Sequence, residues 1–200
     1  MSKKIVFDKS NIVKLFNENK FNKISKYSKI IIDYYETDID ICQLVIVSEI
    51  NLKNYFKAER YLNRIINIHN TAELNYLYGN VLKIQNKYHD AIDLYKKAIS
   101  LNNNFSEAYN NLANTQKIIG DNENATYNYI QAIKFNNSNL GAYFNLANLY
   151  RSEKKFQEAI NNYKKVLELN PKFVESMNNI GSINLILGNF ENGLKYFVKA

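Results

Sequence analysis

Apolar residues in this chain recur at three-and-four spacing, in blocks about a dozen residues long, which predicts amphipathic helices. Short polar turns separate the blocks: IIGDNENA at 118–125, SEKKFQEA at 152–159 and LGNFENG at 187–193. The whole pattern then repeats. Displaced by 34 residues, the chain superimposes Leu112, Leu146 and Ile180, and likewise Ala91, Ala125, Ala159 and Gly193. Tyr95, Tyr129, Tyr163 and Phe197 form a third series, and Ala98, Ala132, Val166 and Ala200 a fourth. Small residues recur where two helices must approach closely, and large ones where a gap must be filled. Each period therefore predicts two helices joined by a turn, and the chain as a whole an all-α array.

These residues resemble the tetratricopeptide repeat, a helix–turn–helix unit of the same period. Residues 106–139 carry its pattern through Tyr109, Leu112, Ala113, Ala125, Tyr129 and Ala132, with Asn137 where the family has Pro. Residues 140–173 carry it through Tyr143, Leu146, Ala147, Ala159, Tyr163, Val166 and Pro171. Residues 72–105 match through Gly79, Ala91, Tyr95 and Ala98 but depart at Asn75 and Tyr78, and residues 174–200 form an incomplete repeat with Ile180, Gly181 and Phe197. A divergent repeat is expected at 39–71, with Tyr55, Ala58, Leu62 and Ile65 on its second helix and Cys42 in its core. Residues 1–38 form a degenerate, basic first repeat. The resemblance implies a right-handed superhelical α-solenoid, the first helix of each repeat lining the concave side.

Charge sits unevenly on this frame. Eight lysines lie within residues 1–30 against Asp8 and Glu18, so most of the net +7 belongs to one end and the rest is nearly neutral. A solvated lysine-rich helix face accounts for that end. A single cysteine forms no internal disulfide and the N-terminus shows no signal-peptide core, which reads as a cytoplasmic chain. No apolar run is long enough for a membrane span.

No catalytic constellation emerges. His69 and His89 fall in a turn and at a helix start, one cysteine and two separated histidines assemble no usual zinc site, and no phosphate-binding loop is present. Acidic residues such as Asp121, Glu123, Glu158 and Glu175 stand at turns and helix starts, where the helix dipole accounts for them. The expectation is a non-enzyme without metal or cofactor, and the spacing of Tyr95, Tyr129 and Tyr163 places them in the core.

The informative surface is the first helix of each repeat. Asn111, Asn145 and Asn179 recur at its sixth position, Asn80, Asn114 and Asn148 at its ninth, and Lys83, Lys117 and Arg151 at its twelfth. Residues three apart share a helix side, so these form ladders along the predicted groove. A primary amide donates and accepts, as an extended peptide backbone does, and the cations favour anions. The arrangement resembles the inner surface of the arrays in protein O-GlcNAc transferases, whose asparagines hold peptide; by that resemblance Asn111, Asn145 and Asn179 carry the role. Leu44 and Leu77 interrupt the ladder. The carboxylate clamp of other such arrays is missing: its places hold Tyr76, Gly141 and Asn145, or one repeat later Asn110, Glu175 and Asn179. Three aligned cations on a near-neutral body are weak for nucleic acid.

Two functions follow. One is an interaction scaffold binding an extended peptide or partner segment along the groove. The other is the N-terminal recruiting arm of a larger glycosyl- or sulfotransferase. Because Ala200 falls within the last predicted helix, the expectation is that more chain, a partner, or a second copy covers Leu187, Leu194 and Phe197.

Overall fold

The computed structural model describes residues 8–199. Lys3 and Lys4 of the basic end, and Ala200, lie outside them. All regular structure among the described residues is helical: α1 (Lys9–Asn17), α2 (Phe21–Tyr34), α3 (Ile39–Asn51), α4 (Tyr55–Ile65), α5 (Ala72–Ile84), α6 (Tyr88–Leu101), α7 (Ser106–Ile118), α8 (Asn122–Phe135), α9 (Leu140–Ser152), α10 (Phe156–Leu169), α11 (Val174–Ile186) and α12 (Phe190–Lys199). Successive helices pack as pairs. The chain divides into two compact units, one holding α1–α6 and ending at Asn102, the other holding α7–α12 and starting at Asn103.

Local chemistry sets the helix ends. Asp38 and Thr71 cap α3 and α5 by accepting from the amides of Ile41 and Leu74, at 3.2 and 3.3 Å. Asn139 caps α9 by accepting from Ala142 at 3.0 Å. Each such bond satisfies an amide the helix itself leaves unpaired. The turn after the first helix of a pair closes on a left-handed residue: Lys53 (φ 60°), Asn86 (62°), Gly120 (83°), Lys154 (59°) and Gly188 (79°). That conformation releases the chain from the helix and sends it back into the next one.

In the second unit, shape complementarity builds the core. Tyr129 is fully buried with Ala113, Ala125, Leu146 and Leu149. Tyr163 is likewise buried with Ala147, Ala159, Ile160, Ile180 and Ile183. Each ring fills the space that the alanines leave open, and such a burial contributes on the order of 2–3 kcal/mol. In the first unit the same device uses Gly79, where an added Cβ would stand 2.7 Å from Tyr95 Cε1.

The α1–α5 core is built differently. Ile12, Ile24, Ile31, Ile32, Cys42, Val45, Ile46, Ala58, Tyr61, Leu62 and Ile65 pack together, and Leu62 stands where the later repeats carry the core tyrosine. A fully buried glutamate, Glu49, lies among them. Its Oε1 meets the Lys57 ammonium at 2.7 Å, while its Oε2 accepts from Ser25 Oγ at 2.9 Å and Asn54 Nδ2 at 2.8 Å. Burial pushes the carboxyl pKa up, but bonds from Lys57, Asn54, Ser28 and Ser25 outweigh it and hold the group below its ordinary value. Ser28 also bonds the Tyr61 hydroxyl at 3.0 Å, so the cluster ties α2, α3 and α4 together. Nothing in the repeat pattern points to it.

Candidate functional site

The three ladders lie on the first helices of the pairs, and their members do different things. The ninth-position asparagines are bonded to the core. Tyr95, Tyr129 and Tyr163 donate their hydroxyls to the Oδ1 atoms of Asn80, Asn114 and Asn148, at 2.8, 2.6 and 2.6 Å. Each tyrosine sits on the second helix of the same pair, so the bond pins its two helices. A buried phenol needs such an acceptor. Burial raises the pKa of Tyr129 well beyond its ordinary value and that of Tyr163 to about 12. The even-handed donor–acceptor role expected of these amides is therefore modified. Their carbonyls accept from tyrosine, which leaves Nδ2 of each amide as the group not used in that bond.

The sixth-position asparagines of the second unit join two polar clusters. Asn145 Nδ2 donates to Asn110 Oδ1 at 3.2 Å, and Asn110 Nδ2 to Asn111 Oδ1 at 3.4 Å. Asn179 Nδ2 reaches Asn148 Oδ1 at 3.5 Å, and Arg151 Nη1 donates to Asn179 Oδ1 at 2.5 Å. The structure thus brings together Asn111 and Asn145 through Asn110, and Asn148, Arg151 and Asn179 directly. Asn110 is a member that the ladder reading missed.

Asn80 and Lys83 hold the corresponding places on α5, in the first unit. Lys83 is half-buried, and that desolvation lowers its pKa below the ordinary lysine value. Lys117 is half-buried and Arg151 exposed, and no carboxylate lies within ion-pair distance of either among the described residues.

Other candidate groups are structural in their surroundings. Cys42 is fully buried and donates its thiol to the Tyr35 carbonyl at 3.2 Å, and burial raises its pKa to about 11. Nucleophilic thiolates are found instead where positive charge or a helix N-terminus lowers that value. His69 Nε2 is 3.0 Å from the Glu36 carbonyl oxygen. Among the described residues no three His, Cys, Asp or Glu side chains gather as metal ligands would, and no helix is long and apolar enough to cross a membrane. At the far end of the second unit, Leu187, Leu194 and Phe197 stand 47%, 61% and 37% exposed.

Two signals for this site were present in the sequence. A fifteen-residue separation links Asn to Tyr in three consecutive repeats, and Asn110 precedes Asn111 directly. The first reads as a bond only once the helices are paired in space.

Known proteins share the fold. Family profiles described as tetratricopeptide repeat match residues 106–139, 141–173 and 174–200, and one described as TPR repeat matches residues 79–117. The structure is similar to the C-terminal part of a TPR repeat-containing protein from Cytophaga hutchinsonii, with a TM-score of 0.79 at 18% identity over 95% of this chain and 76% of that one. It is similar to MamA from Desulfovibrio magneticus RS-1, with a TM-score of 0.72 at 18% identity over 80% and 91% of the two chains. It is similar as well to YrrB, described as a TPR protein with an unusual peptide-binding site, with a TM-score of 0.68 at 19% identity over 86% and 89%. No curated protein sequence matches the chain.

Proposed function

Because the chain belongs to the tetratricopeptide repeat family, we propose that it is a protein-interaction scaffold whose α7, α9 and α11 hold an extended peptide or partner segment. The observation that carries this reading is a pair of polar clusters in the second unit, Asn110 with Asn111 and Asn145, and Asn148 with Arg151 and Asn179. Amide–amide bonds such as Asn145 to Asn110 and Asn110 to Asn111 can be exchanged for peptide bonds at little cost, since the inventory of donors and acceptors is conserved. YrrB, a neighbour in fold, is a TPR protein with a peptide-binding site, which supports the same reading. Asn80 and Lys83 repeat the chemistry on α5 but are not needed for a site within the second unit.

The test is capture of immobilised unstructured peptides by the wild-type chain and by the Asn111→Ala, Asn145→Ala, Asn179→Ala triple variant. Losing three side-chain bonds of about 0.5–1 kcal/mol each weakens capture roughly tenfold or more. Helicity and melting stay near wild type, because these residues hold no buried ring or helix end. Unaltered capture by the triple variant sinks the reading. The exposed apolar side chains of α12 and its preceding turn offer a separate contact, self-association. Sedimentation at rising concentration should show it, and Leu194→Glu should abolish it; a monomer at all concentrations removes this second contact.

A further inference from the structure

Charges of opposite sign stand toward opposite ends of the first helices of the second unit, both on α7 and one each on α9 and α11. Glu107 and Glu175 occupy the first turns of α7 and α11, and Lys117 and Arg151 the last turns of α7 and α9. Both glutamates and Arg151 are exposed, and none of the four forms an ion pair among the described residues. Ten residues separate Glu107 from Lys117, about 15 Å at the helical rise. On the same helix side, between these ends, lie Asn111 and Asn114. The face is thus striped: carboxylates along one rim, amides along the middle, cations along the other.

An extended chain has a matching symmetry. Its backbone N–H and C=O groups point sideways in one plane, and successive side chains project alternately to the two sides of that plane. If the backbone edge meets the amide lane, alternate side chains face opposite rims. The Asn114 and Asn148 carbonyls are held by Tyr129 and Tyr163, so those amides meet the edge as donors to peptide carbonyls.

Resting on the peptide-binding reading, we propose that this face selects an extended segment in which acidic and basic side chains alternate. Carboxylates lie toward Lys117 and Arg151, and ammonium or guanidinium groups toward Glu107 and Glu175. Pattern, rather than net charge, is what the stripe recognises.

Two labelled peptides test it, one of strictly alternating Glu and Lys, the other of the same composition in Glu-Glu-Lys-Lys blocks. Both are neutral overall, so the lysine-rich N-terminus favours neither. Fluorescence anisotropy with the full chain should show the alternating peptide binding about fivefold to tenfold more tightly, with the preference fading at high salt. The Lys117→Gln, Arg151→Gln variant should bind both peptides equally and melt like wild type. Equal binding of the two peptides to the wild-type chain overturns the stripe while leaving the peptide-binding reading intact. Survival of the preference in the double variant also overturns the stripe, since its source then lies elsewhere. Binding of neither peptide overturns both.

Discussion

The helices α1–α4 and α7–α10 solve one problem in two ways. In α7–α10 each pair is locked by a tyrosine that fills a gap between alanines and ends on an asparagine carbonyl. In α1–α4 no tyrosine does this, and a buried carboxylate binds three helices through Lys57, Ser25 and Asn54. Surface ion pairs from Arg64 to Asp33 and Glu36 add to that end. In the regular pairs Lys117 and Arg151 form no ion pair among the described residues, whereas the divergent pairs place one charge, Glu49, in the core. Divergence from the repeat pattern, on this comparison, is a change in what the polar residues are for.

The sharpest way to break the contrast is Lys57→Met. It leaves Glu49 buried without its counter-charge, and denaturant unfolding should show a loss of about 3 kcal/mol. Pairing it with Glu49→Leu should restore most of that, because apolar replacement removes the desolvation problem. Recovery in the double variant is the discriminating result; a single-variant loss alone reports only disruption. In the regular region, Ala159→Val overfills the space beside Tyr163 and should cost about 1–3 kcal/mol by the same measurement.

Acid separates the two regions further. Glu49 is held below its ordinary carboxylate value when folded. Its contribution is therefore present above the unfolded value of about 4.3 and is lost as pH falls through the folded one. Wild-type stability should decline over that window, and Glu49→Gln should flatten the decline while lowering stability at neutral pH. The smallest effect belongs to Tyr129→Phe and Tyr163→Phe, about 0.5–1 kcal/mol each, since the half-buried asparagines can turn to water. Thermal melts should register it. A change as large as that of Lys57→Met would mean the hydroxyl bond, not the ring, holds the pair.

The regular half of the molecule is largely legible from sequence because its information is periodic. Ala125 and Ala159, or Tyr129 and Tyr163, state the same contact twice, and coincidence over 34 residues exposes it. The ladder residues are legible for the same reason, and their place on α7, α9 and α11 follows. Their hydrogen-bond direction is not, because an amide at one helix and a phenol at the next meet only after the turn has closed. Glu49 is illegible for a different reason. It occurs once, and its partners come from α2, α4 and the turn before α4 with no shared spacing. A sequence pattern reports what recurs, and a buried charge cluster that occurs once has nothing to recur with.

The left-handed residues that close the turns have a practical meaning beyond the fold. Lys53, Asn86, Gly120, Lys154 and Gly188 share a positive φ despite different neighbourhoods of sequence. Turns alike in geometry are interchangeable parts. Segments cut at these points can be shuffled or duplicated without re-aiming the helices on either side, so the array is assembled from exchangeable joints, and lengthening it is a matter of copying.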